Sequence, residues 1–97
     1  MQKLTKIEKE QICERFAMYL PKLRRTMMFT QEKLGELCGY SRIRISNIET
    51  GREKLSWHQL MAMALVFMLN TKSKQLMEDE KILDDKFFDF IVKYKTK

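Results

Sequence analysis

Residues 30–51 read TQEKLGELCGYSRIRISNIETG, and the fold turns on this stretch. Thr30 can cap a helix, because its hydroxyl can accept an otherwise unpaired backbone N–H from the first turn formed by Gln31, Glu32 and Lys33. Leu34, Leu37 and Cys38 then recur at helical spacing and are expected to face inward. Gly39 should end the helix, since a residue without Cβ takes the left-handed C-terminal conformation at no side-chain cost. Ser41 supplies a second cap. Ile45 and Ile48, with Glu49 beside them, carry a second helical period to Gly51, another C-terminal glycine signal. Two short helices are therefore expected around a turn of Gly39, Tyr40 and Ser41.

Upstream, Thr5-Lys6-Ile7-Glu8 has the pattern of a capping box, in which the Thr hydroxyl and the Glu carboxylate satisfy each other's backbone N–H groups. Ile12, Phe16, Leu20, Leu23 and Met27 follow on one helical face. Pro21 cannot donate to the Ala17 carbonyl and crowds that turn, so a kink or break is expected near Tyr19 to Pro21, with a second helical piece to about Met27. Downstream, residues 52–55 read as a loop. Ser56 caps a helix whose inward stripe is Leu60, Met63, Ala64 and Phe67, ending near Asn70 and Thr71. Residues 71–80 suit one more helix. Asp84 or Asp85 can cap a last one, with Phe87, Phe90, Ile91 and Tyr94 at helical spacing and Lys93, Lys95 and Lys97 near its negative end. Phe88, Phe90, Val92 and Tyr94 also alternate as a strand would, but the helical spacing is preferred. No internal repeat is visible.

A chain of 97 residues is one small domain, able to bury ~65% of its unfolded surface. Its residues are 44% apolar and include only three Gly and one Pro, too few for the turns of a sandwich or barrel, so an all-α fold is expected. Nineteen Lys and Arg against thirteen Asp and Glu give +6, a balance that favours a polyanionic partner. Cys13 and Cys38 form no CxxC pair and the chain has a single His, which argues against a zinc site or a disulfide framework and for a reducing cytoplasm. The N-terminus is charged at Lys3, Lys6, Glu8, Lys9 and Glu10, unlike a signal peptide. The longest apolar run, Leu60 to Leu69, is about half a bilayer span. There is no Gly-rich phosphate loop, HExxH or GxSxG, and no nucleophile, base and orienting group occur together. No enzyme activity, metal, cofactor or membrane role is expected.

The 30–51 stretch resembles the helix-turn-helix of the phage-repressor and Cro-like DNA-binding regulators, often called the XRE family. The resemblance rests on Gln31 at the first helix's start and Gly35 where two helices cross, a position at which the family commonly has Ala. It rests also on Leu34, Cys38, Tyr40, Ile45 and Ile48 at the buried positions and on Gly39 in the turn. It extends upstream through Phe16-x3-Leu20-x2-Leu23-Arg24 and downstream through Leu60 to Phe67, covering roughly residues 12–69. It implies an all-α, lambda-repressor-like DNA-binding domain of five or six helices over residues 1–70, followed by a C-terminal helical extension, 71–97.

Carried over by position, the resemblance assigns base contacts in a major groove to Ser41, Arg42, Ile43, Ser46 and Asn47. Phosphate contacts fall to Gln31, Arg44, Thr50, Arg52 and Lys54. Arg24 and Glu49 would form a structural ion pair between the first helix and the recognition helix. The implied partner is double-stranded DNA at an inverted repeat, bound by a homodimer that regulates transcription, most simply by repression. Alternatives are an antitoxin-like regulator, or a helical adaptor, whose C-terminal segment binds another protein.

Charge placement agrees with that layout. Residues 1–70 carry twelve basic and seven acidic side chains, a net of +5, and residues 71–97 carry seven and six, a net of +1. Phe87, Phe88, Phe90, Ile91 and Tyr94 are too many for a free tail and should fold back on the Leu60 to Leu69 helix or pair with a second chain. Leu65, Val66, Met68 and Leu69 widen that helix's apolar surface beyond one stripe. His58 reads as solvent-facing, the two Cys as core or near-core residues, and the Met residues as packing filler. Glu8, Glu10 and Glu14 read as a solvated face interleaved with Lys6, Lys9 and Arg15.

Overall fold

The computed structural model describes residues 4–95, with side chains through Ile91. The sequence-based expectations for Lys3, Lys97 and the side chains of Val92, Lys93, Tyr94 and Lys95 lie outside this range. Six helices follow one another: α1 Lys6–Thr26, α2 Gln31–Cys38, α3 Arg42–Glu49, α4 Trp57–Met68, α5 Thr71–Asp79 and α6 Asp85–Lys95. Among the described residues there is no strand, so the alternating aromatic pattern after Asp85 belongs to a helix.

α1 begins with the capping box: Glu8 N–H donates to Thr5 Oγ1 at 3.1 Å, and Thr5 N–H donates to Glu8 Oε1 at 2.9 Å. It then runs unbroken through Pro21, so of the kink or break expected there, the break into two pieces does not occur. A proline inside a helix costs about 3 kcal/mol. Opposing that cost, Phe16 and Leu20 before it and Leu23 after it are all 0% exposed on one face, and each such burial contributes roughly 1.5 to 3 kcal/mol. A break would turn one side of that stripe away from the core. α1 ends with Met28 in the left-handed region, φ 58°, while Phe29 N–H reaches back to the Arg24 carbonyl at 3.0 Å.

Thr30, Ser41, Ser56 and Asn70 cap α2 to α5, each side-chain oxygen accepting from a first-turn backbone N–H. Asp84 does the same for α6 by accepting from Phe87 N–H at 3.0 Å. The inner face of α2 is formed by Leu34, Gly35 and Cys38, while Leu37 is 48% exposed, against the expectation that it points inward. The Tyr40 carbonyl lies so close over Gly35 that a Cβ would stand 2.3 Å from the oxygen. Gly39 and Tyr40 N–H both donate to the Gly35 carbonyl at 2.8 Å, with Gly39 at φ 83°.

The core lies where α1 and α4 cross, with the Phe16 and Phe67 rings 6.2 Å apart. Ile45 and Ile48 of α3, Leu34 of α2 and Leu60 and Met63 of α4 join it. So do Met77 of α5, Ile82 and Leu83 of the following turn, and Phe87 of α6. The aromatic segment folds back. Trp57 at the start of α4 meets Phe87 edge-on at 5.8 Å and Phe90 at 6.5 Å, and Lys9 of α1 lies 5.2 Å from the Trp57 ring centre. Leu65 of α4 and Leu69 just after it remain exposed.

Candidate nucleic-acid interface

α3 is held by its apolar inner side, and this decides what its outer side offers. Ile45 and Ile48 are buried, so the residues one position away and one turn away point outward: Ser41, Arg42, Ile43 and Arg44 are exposed, and Ser46 and Asn47 are half-buried. Ile43 is 64% exposed, an apolar side chain facing water with nothing of its own chain over it. The Arg42 guanidinium and the Asn47 amide have no hydrogen-bond or ion-pair partner among the described residues. Both are therefore free to bond an outside group without first breaking an internal contact. Ser41 differs, because its oxygen accepts the Arg44 backbone N–H at 3.1 Å, leaving its O–H proton as the group to donate.

The flanking cations divide in two. Arg52 and Lys54 are exposed and unpaired among the described residues. Arg44 Nε lies 3.6 Å from Glu53 Oε2, an exposed pair of the kind that contributes about 0 to 1 kcal/mol and yields easily to a phosphate. Glu53 also accepts from Gln59 Nε2 at 3.3 Å, so it ties the loop after α3 to the start of α4. Sequence reading missed Glu53. Its partners sit nine positions before and six after it, spacings that no single helix makes adjacent. The Thr50 hydroxyl donates to the Ser46 carbonyl at 2.9 Å and so is turned back onto α3.

Behind this surface lies a buried polar cluster. Arg24 Nε and Nη2 donate to Glu49 Oε2 and Oε1 at 2.8 and 3.1 Å, a two-bond arrangement with side chains 16% and 6% exposed. Arg24 Nη1 also donates to the Phe29 carbonyl at 3.0 Å. One guanidinium thus fixes the α1–α2 corner and the end of α3 at once. Gln31 Nε2 donates to Glu49 Oε1 at 3.0 Å, so the Gln31 side chain is anchored internally and reaches outward only with what remains of its amide. No buried side-chain polar atom lacks a partner among the described residues. The sequence reading of Gln31 did not include this anchor.

Two short helices joined by a tight left-handed glycine turn, the second fixed in angle by a buried ion pair and bare on its outer side, form the arrangement used to place a helix in a groove. A family model described as a helix-turn-helix domain matches residues 15–70, more than half of the chain. The chain belongs to the helix-turn-helix domain family. The matched span contains α2 and α3 whole, and the family places the chain among DNA-binding regulators. No curated protein and no solved structure matches the chain. Of the remaining sequence candidates, His58 is exposed, Cys13 is buried and Cys38 half-buried. Burial pushes both thiols up to about 11, which keeps them protonated and weakly reactive at neutral pH. No described helix is long and apolar enough to cross a membrane.

Proposed function

We propose that this helix-turn-helix protein is an XRE-type transcriptional repressor that binds double-stranded DNA sequence-specifically as a homodimer. The reading is carried by one observation: Arg42, Ile43 and Asn47 stand together on the outer side of α3, with no partner for either polar group among the described residues. Arg42 donates two hydrogen bonds to guanine O6 and N7, Asn47 pairs with adenine, Ile43 meets a thymine methyl, and Ser41 and Ser46 complete the base contacts. Arg44, Arg52 and Lys54 hold phosphates on the flank, Thr50 joins them by turning its hydroxyl from the Ser46 carbonyl to donate to a phosphate oxygen, and Gln31 with the N-terminus of α2 holds another phosphate. Arg24 and Glu49 keep α3 at its angle and touch no DNA.

Two copies related by a twofold axis place their recognition helices in successive major grooves, centres ~34 Å apart, on an inverted repeat. The DNA-reading domain is residues 1–70, and residues 71–97 cover its core and help pair the two copies, with Leu65 and Leu69 adding apolar surface beside them. Binding over a promoter blocks polymerase, in the cytoplasm. Selection of bound duplexes from a random pool by the full chain tests this. Enrichment of one inverted repeat is the expected result. Recovery of unenriched sequence, or of protein alone with no DNA, would refute it.

A further inference from the structure

Glu10 and Glu14, one turn apart on α1, are exposed as the sequence suggests and, with Glu53, rim an open cleft of about 390 Å³ between α1 and the segment after α3. Cys13, Ala17 and Leu55 line its floor. Small-molecule sites span roughly 300 to 1,000 Å³ and combine an apolar lining with a few converging polar groups, and this cleft has both attributes.

Its charges do not balance internally. Glu49, at the inner edge, is neutralised by Arg24, and Glu53 faces Arg44. Glu10 and Glu14 have no ion-pair partner among the described residues, and Lys54 is the sole cation on the cleft's wall. Both carboxylates act on the floor: after burial, the charges of Glu10 and then Glu14 are what hold the Cys13 thiol up at about 11. Negative potential is thus directed into an apolar recess.

We propose that this cleft binds a small organic cation, an ammonium or amidinium group on a hydrocarbon or aromatic body, with the charge between Glu10 and Glu14 and the body over Cys13, Ala17 and Leu55. The far wall is Thr50, Gly51 and Lys54, the segment that the DNA-binding reading sets against phosphate. Resting on that reading, one consequence follows for regulation. Two carboxylates beside Lys54 repel the DNA backbone, a bound cation cancels that repulsion, and the ligand therefore tightens DNA binding. By linkage, DNA tightens the ligand to the same degree.

The test uses the full chain and two matched probes, 2-phenylethylammonium and phenylacetate, followed by amide NMR. The cation should shift Cys13, Ala17, Thr50 and Gly51 saturably and the anion should not. Glu10→Gln with Glu14→Gln should weaken the cation by about tenfold, as loss of charge-assisted bonds does. Ala17→Phe, which fills the floor, should abolish binding in protein that still unfolds cooperatively. No saturable shift, an equal response to phenylacetate, or an unchanged response in the double Gln variant overturns the site. On duplex DNA selected by the protein, the amine should raise affinity by about threefold, less at high salt. Amine binding by protein that binds no DNA would sink the DNA reading and leave the cleft standing. DNA binding without amine binding would do the reverse.

Discussion

The helix-turn-helix and the C-terminal helices are both fastened to α1, but by different physics. At the motif, Arg24 meets Glu49 through two bonds with both side chains largely out of water, and Gln31 adds a third. At the C-terminal end, the charge contacts are outside: Lys86 to Glu8 at 2.6 Å, Lys22 to Glu80 at 3.4 Å and Arg15 to Asp84 at 3.7 Å, each between side chains at least a quarter exposed. There the hold is apolar, through Met77, Ile82, Leu83 and Phe87. Directional bonds fix an angle and apolar contacts fix only a distance, so the polar network sets how α3 is turned and the apolar contact covers a surface of the core.

Removing either fastening should show the difference. The largest effect belongs to deletion of residues 71–97, which strips the apolar side chains of Met77, Ile82, Leu83 and Phe87 from the core; at about 1.5 to 3 kcal/mol each, the loss rivals a whole domain's stability of about 5 to 15 kcal/mol. Circular dichroism of the shortened chain should show no cooperative thermal transition, and a sharp transition near the full-length midpoint would refute the shared core. Next is Glu49→Ala, which leaves Arg24 buried without its charge partner and should cost about 3 to 5 kcal/mol in urea unfolding. Restoring only the hydrogen bonds with Glu49→Gln should recover part of that.

Gly35→Ala comes third. Its Cβ meets the Tyr40 carbonyl at 2.3 Å, so the turn must shift, at about 1 to 3 kcal/mol. Smallest is an acid effect confined to the C-terminal fastening. The Lys86 ammonium, then the Thr5 N–H, lowers Glu8 from its ordinary 4.5 to about 2. A depressed carboxylate stabilises the fold above its unfolded pKa, so this contribution disappears as pH falls from about 4.5 toward 2. Glu8→Gln keeps the capping box and should flatten the melting temperature across that window, leaving the slope at neutral pH unchanged.

The same contrast explains what could be read from the sequence. Thr30, Gly39, Ser41, Ser56 and Asp84 act on neighbours within three or four residues, and each does so in the structure. Helices α2 to α6 and the start of α1 follow from such local signals, and α3's outward residues follow from the positions of Ile45 and Ile48. The errors lie where distant contacts override local preference. Pro21 stays helical because the stripe it interrupts is buried, and Leu37 is exposed where its helical spacing suggested burial. The Gln31 to Glu49 bond spans 18 residues and the Lys86 to Glu8 pair 78, beyond the reach of any periodicity. The cleft rimmed by Glu10 and Glu14 exists only because the segment after α3 closes over α1.

The central claim is that α3 reads bases with its outer side. Its most direct test is the affinity of wild type and Arg42→Ala for the selected duplex and for every single-base variant of it. Arg42→Ala should lose about 1 to 3 kcal/mol and no longer discriminate at one G·C pair in each half-site, with discrimination elsewhere intact. An Arg42→Ala protein with the wild-type profile of base preference at every position would contradict the claim.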